Sequence, residues 1–182
     1  MTISRGGRPG RRWWLTPTWL RQYLFTQWQR LLGLNASRVT ELLYVGGEFR
    51  AAQWPMLHSL GVRAVLSLQA ERHDEFSGPP PARHLRVPVE DFHAPTIEQL
   101  QVACEFLEDT HRAGHPTLVH CHAGVGRAPL TAAAFLVTQG HSAAEAIERI
   151  AIARPIIGLN RRQLSRLDEW ERFVRNTAAE DA

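Results

Sequence analysis

His120-Cys121-His122-Ala123-Gly124-Val125-Gly126-Arg127-Ala128-Pro129 follows a short apolar run, Pro116 to His120, and precedes a helical pattern from Pro129 to Gln139. The run suits a buried strand, the two glycines allow a tight turn, and a helix starts just after the arginine. Such a loop can aim successive backbone N–H groups at one point. The helix N-terminus adds positive potential, so the concavity suits a dianionic phosphate. Cys121 then sits at its floor, where the same field favours the thiolate and makes it a competent nucleophile. Arg127, six residues on, can fold over the loop and bind two phosphoryl oxygens in a fork that Lys cannot reproduce. The predicted phosphate contacts are His122, Ala123, Gly124, Val125, Gly126 and Arg127.

On either side the chain alternates between the two periodicities. Leu42 to Val45 is an apolar run closed by Gly46-Gly47, Ala51 to Leu60 is helical and ends at Gly61, and Val62 to Leu68 reads as a strand. The Pro-rich stretch Gln69 to Arg83 is a surface loop, and His84 to Val89 returns as a strand. Thr96 to His111 carries Ile97, Leu100, Cys104 and Leu107 on one helical face. Helical patterns also cover Ser142 to Ala153 and Asn160 to about Asn176. Strands alternating with helices predict an α/β fold: a central, mainly parallel sheet of about four or five strands flanked by helices.

With these residues in place, His120-Cys121, five intervening residues and Arg127 resemble the Cys-x5-Arg signature of the protein tyrosine phosphatase superfamily. Ala123-Gly124-x-Gly126-Arg127 is similar to its dual-specificity branch. Val87 to Thr96, thirty residues upstream, resembles the family's strand, general-acid loop and helix. Arg154-Pro155 and Gln163 resemble its closing region. The resemblance implies that Asp91 protonates the leaving oxygen and then activates water against a phosphocysteine, that Gln163 has a supporting place near the site, and that no metal or other cofactor takes part. Ala128 departs from the pattern, since most relatives have a hydroxyl residue directly after the arginine. His120, Cys121 and His122 lack the ligand spacing of a metal site. His120 instead orients the loop or tunes the thiolate, and His122 lines the rim.

All 21 basic residues are Arg. Seven of them lie in residues 1–38, where there is no acid, so the remaining fourteen face all 18 acidic residues. Residues 1–12 read as a basic arm without hydrophobic periodicity. Thr16-Pro17 starts and Gly33 ends an amphipathic helix with Leu20, Tyr23, Leu24, Trp28, Leu31 and Leu32 on its stripe. With Trp13, Trp14 and Trp19, that helix has two readings: peripheral contact with an anionic membrane through residues 13–34, or docking on the domain. Nucleic-acid binding is the weaker reading, because no recognised module accompanies the arm. The expected organisation is residues 1–38 as arm and helix, 39–177 as a catalytic domain, and 178–182 as a tail.

Cys104 and Cys121 are too few for a disulfide framework, and no secretory leader or membrane-spanning run is visible, so a cytoplasmic location is expected. The function this implies is hydrolysis of phosphate monoesters on phosphorylated proteins. Phospholipid monoesters are the alternative substrate, and a phosphate-binding module with weak turnover is the alternative class.

Overall fold

The computed structural model describes residue 24 and residues 34–180. The expected basic arm and nearly all of the amphipathic helix lie outside the described residues. The strands are β1 (Ala36–Arg38), β2 (Leu43–Gly46), β3 (Ala64–Gln69), β4 (Arg83–Val89) and β5 (Thr117–His120). The helices are α1 (Trp54–Ser59), α2 (Ile97–Arg112), α3 (Arg127–Thr138), α4 (Ala143–Ala153) and α5 (Arg161–Glu180), with a 3-10 turn at Ala51–Gln53 leading into α1.

The five strands form one sheet in the order β1-β2-β5-β3-β4. β2, β5, β3 and β4 run parallel, and β1 joins antiparallel at the edge of β2. Parallel strands covered on both faces need apolar residues at successive positions, and β3 is buried at every one of its six residues. Leu43, Val45, Leu66, Leu68 and Val119 face a core built with α2, α3, α4 and α5. Tyr44, Val65 and Leu118 point the other way, against Trp54 and Leu57 of α1. Trp54 is fully buried, and burial of a side chain of this kind contributes roughly 1.5–3 kcal/mol.

Packed structure begins before residue 39. Leu34 is buried, and Ala36–Arg38 pairs with β2, Ala36 opposite Gly46 and Arg38 opposite Tyr44. At the other end, α5 continues through residue 177 to Glu180. Among the described residues no helix is long and apolar enough to cross a membrane.

Four parallel strands share one orientation, so their carboxyl ends open on one edge of the sheet. Open α/β sheets place ligands at this edge. Glu48 follows β2, Glu71 and Asp74 follow β3, Asp91 follows β4 and Cys121 follows β5. The topology thus collects residues spread over seventy positions of sequence.

Candidate active site

After His120 the chain leaves β5 and makes a loop that ends at Arg127, the first residue of α3. The outward hydrogen bonds of this loop explain its shape. The carbonyl of His122 accepts the Glu48 N–H at 2.9 Å, and that of Val125 accepts the Gly158 N–H at 2.9 Å. Arg154 donates through Nε to the carbonyl of Gly124 at 2.7 Å and through Nη2 to that of Ala123 at 3.4 Å, where Asn35 Nδ2 also reaches. In a trans peptide the N–H points opposite to the preceding C=O. With four carbonyls turned outward, the N–H groups of Ala123, Gly124, Val125 and Gly126 turn into the concavity. Gly124 N–H already donates to Cys121 Sγ at 3.3 Å.

Gly124 has φ +69, and a Cβ there would meet the Gly46 carbonyl oxygen at 2.5 Å. The position therefore excludes side chains on conformation and on space together. At Gly126 a Cβ would collide with the Gln163 amide, Nε2 at 2.8 Å.

Arg127 is buried to 1% exposure. Nη1 donates to both carboxylate oxygens of Glu71, at 2.9 and 3.1 Å, and to the carbonyl of Val89 at 2.7 Å. Burial disfavours the charged form of Glu71, but the hydrogen bond and charge of Arg127 outweigh it and hold its carboxyl below the ordinary range. Nη2 lies 3.0 Å from Asp91 Oδ1, an ion contact without hydrogen-bond alignment. Nε and Nη2 are thus buried donors with no hydrogen-bond partner among the described residues. A buried guanidinium edge without hydrogen bonds is costly, and the Asp91 carboxylate beside Nη2 is its ionic contact.

Asp91 is half exposed, and its Oδ1 accepts the Phe92 N–H at 3.0 Å. Phe92 has φ +60, rare for an aromatic residue. Its carbonyl accepts Asn160 Nδ2 at 2.9 Å, and the carbonyl of His93 accepts Gln163 Nε2 at 3.1 Å. Asn160 and Gln163 also form the reciprocal cap of α5, each side chain bonding the other's backbone. Gln163 therefore stands between the Asp91 loop and Gly126.

The structure brings Cys121, Arg127, Asp91, the loop 122–126 and Gln163 together at one edge of the sheet. His122 lies on the rim, with Nδ1 3.2 Å from Glu48 Oε2. Burial raises the Glu48 carboxyl, but bonds from Gln69 and His122 and the nearby positive charges outweigh it, leaving it below the ordinary range. His120 is fully buried, and its Nε2 lies 3.1 Å from Asp74 Oδ2. Cys104 is in the core, and burial pushes its thiol well up. Ala128 is fully buried. Among the described residues no group of His, Cys, Asp or Glu is arranged to hold a metal.

Sequence reading missed Glu71, Asp74, Asn35 and the bonding of Arg154. Arg154 had a visible signal: it interrupts the apolar stretch Ile150 to Ile157. A fully buried Arg there needs carbonyl or carboxylate partners.

Residues 43–173 match the family described as dual specificity phosphatase, catalytic domain. Dual specificity protein phosphatase 1 of Homo sapiens is 30% identical over 138 residues, covering 75% of this chain and 37% of that protein. Dual specificity protein phosphatase 4 of Gallus gallus is 29% identical over 142 residues, covering 77% and 37%. The chain thus spans well under half the length of these curated relatives. The crystal structure of PTPMT1 in complex with PI(5)P is similar at TM-score 0.72 and 25% identity, covering 79% of this chain and 98% of that one. Human DUSP28 is similar at TM-score 0.69 and 27% identity, covering 78% and 99%. With that match across most of its length, and with the loop, arginine and carboxylate gathered at one sheet edge, the chain belongs to the dual specificity phosphatase catalytic-domain family.

Proposed function

We propose that this chain hydrolyses phosphate monoesters of phosphorylated proteins through a phosphocysteine. The observation that carries the reading is the buried edge of Arg127, whose Nε and Nη2 have no hydrogen-bond partner among the described residues, only the ionic contact of Nη2 with Asp91, beside a loop of inward N–H groups with Cys121 at its floor. A phosphoryl group in the loop accepts from these donors. The Cys121 thiolate attacks phosphorus in line, the P–O bond to the leaving group breaks, and Asp91 delivers its proton to the departing oxygen. Water then attacks the phosphocysteine, Asp91 takes its proton, and the thiolate leaves. Arg127 and the loop N–H groups hold the equatorial oxygens throughout, as preorganised donors. Both steps need Cys121 as a free thiolate, which suits a reducing, cytoplasmic compartment.

Asp91→Asn keeps the size of the side chain and removes the transferable proton. Turnover is expected to fall roughly 10²–10³-fold, within the range of a general acid. The loss should be greatest on alkyl or phenyl phosphates and least on nitrophenyl phosphate, whose leaving group needs little protonation. Equal losses on both substrates would overturn the acid role. Acid quenching during turnover, followed by peptide mass spectrometry, is expected to find phosphate on Cys121. A wild-type enzyme that turns over without any such adduct would sink the two-step route.

A second reading, a phospholipid monoester as substrate, has one observation in its favour. A cavity of about 460 Å³ beside the Asp91 loop is lined by His93, Arg161, Arg162, Ser165, Arg166 and Glu169. Its excess positive charge suits a polyanionic headgroup, and the structurally similar PTPMT1 was solved in complex with PI(5)P. On this reading residues 13–34 supply the membrane contact. Turnover of PI(5)P in anionic vesicles is expected to fall on deletion of residues 1–38, with aryl phosphate turnover unchanged. A phosphotyrosine peptide turned over far faster than PI(5)P, with no effect of the deletion, would leave the protein substrate standing alone.

A further inference from the structure

Asp74 stands in the loop after β3, and its side chain is only 4% exposed. Two imidazoles converge on one of its oxygens: His84 Nε2 lies 2.9 Å and His120 Nε2 3.1 Å from Oδ2. Ser67 Oγ donates to Oδ1 at 3.5 Å. Burial works against the charge on Asp74, but the hydrogen bonds and charges of His120 and His84 outweigh it and hold its carboxyl well below the ordinary range. A charged carboxylate can only accept, so both rings carry their proton on Nε2.

His120 is fully buried and is the residue directly before Cys121. Its Nδ1 has no hydrogen-bond partner among the described residues, and the Phe49 ring meets it edge-on at a centroid distance of 5.2 Å. Asp74 is therefore the polar group that sets the tautomer and tilt of this ring. Of the three side chains bonded to Asp74, those of Ser67, His84 and His120, that of His120 adjoins Cys121 in sequence.

We propose that Asp74 is a positioning residue for the nucleophile: by fixing His120 in its Nε2–H form it holds the end of β5 in the orientation that presents Cys121 Sγ to the loop donors. This rests on the phosphatase reading, which makes Cys121 the nucleophile. A change in the aim of a reacting atom of less than 1 Å lowers rate strongly while the phosphate-binding groups stay in place.

The test is Asp74→Asn, with two readouts, and one measurement on the wild type. On an aryl phosphate, kcat is expected to fall about tenfold with KM within twofold of wild type, the split that misaim of the nucleophile produces. Alkylation of Cys121 by iodoacetamide at neutral pH, followed by peptide mass spectrometry, is expected to slow by a similar factor. It needs no turnover, so it separates failure of this proposal from failure of the phosphatase reading. Imidazole nitrogen shifts of the wild-type protein by NMR are expected to show His120 protonated at Nε2. A folded Asp74→Asn protein with unchanged kcat and alkylation rate would overturn the proposal. So would an Nδ1–H ring at His120 in the wild type, and that measurement decides the matter if the variant does not fold.

Discussion

Cys121→Ser is expected to lower turnover of an aryl phosphate, with divalent metals chelated, by roughly 10⁴-fold or more, as removal of an essential nucleophile does. The hydroxyl replaces the thiol atom for atom at the floor of the loop, where Gly124 N–H points at it. An alcohol is far more weakly acidic than a thiol, so the attacking anion is scarcely populated at neutral pH. The four outward carbonyl bonds and the buried guanidinium are untouched. Binding of inorganic phosphate, read by calorimetry, is therefore expected to stay within a few-fold of wild type. Loss of rate with retained binding assigns chemistry to Sγ and binding to the loop. Residual turnover equal to wild type would place the reaction elsewhere, and background turnover in the wild type itself would return the chain to a phosphate-binding module.

Arg127→Lys is expected to cost about 10³-fold in kcat/KM, or roughly 4 kcal/mol. Charge is conserved, but geometry is not. One guanidinium nitrogen of Arg127 serves both oxygens of Glu71 and the Val89 carbonyl, while Nε and Nη2 face the site. An ammonium is a single point with three donors. It can satisfy Glu71 and Val89 or reach the phosphoryl oxygens, but not both with a planar two-point grip. The loss should appear in kcat as well as KM, because the fork matches the planar array of oxygens in the transition state better than the ground-state tetrahedron. A variant within tenfold of wild type on both parameters would mean that the arginine contributes charge alone.

The parallel strands β3 and β5 were readable because burial on both faces writes itself as short, mostly apolar runs, as in Ala64 to Leu68, with Ser67 its polar residue, and in Leu118-Val119 between Thr117 and His120. Ala36–Arg38 left no such mark: three residues of mixed polarity at a sheet edge carry no period, and the strand exists because β2 offers a free edge. The Cys121 loop was readable because its chemistry is local, a strand, glycines and a helix start within ten residues. Asp91 and Gln163 came from resemblance to the family, and their roles in the reaction remain with the proposal above. Glu71, Asp74, Asn35 and Arg154 depend on contacts between segments far apart in sequence, which neither period nor spacing records. Apart from residue 24, the expected helix of residues 16–33 lies outside the described residues.

The bonds that turn the loop inside out have a consequence for how the site comes into being. Its inward donors are neighbours in sequence, but Arg154, which holds two of the carbonyls, is itself held by Asn35 Oδ1 at 2.6 Å and Ser37 Oγ at 3.3 Å, 119 and 117 residues away. Closing so long a loop carries an entropic cost that is recovered only when the rest of the sheet is in place. A partly folded chain that lacks these bonds is thus expected to hold the whole motif without the shaped loop. Phosphate added during refolding is therefore expected to bind only once Asn35 and Ser37 have docked against Arg154.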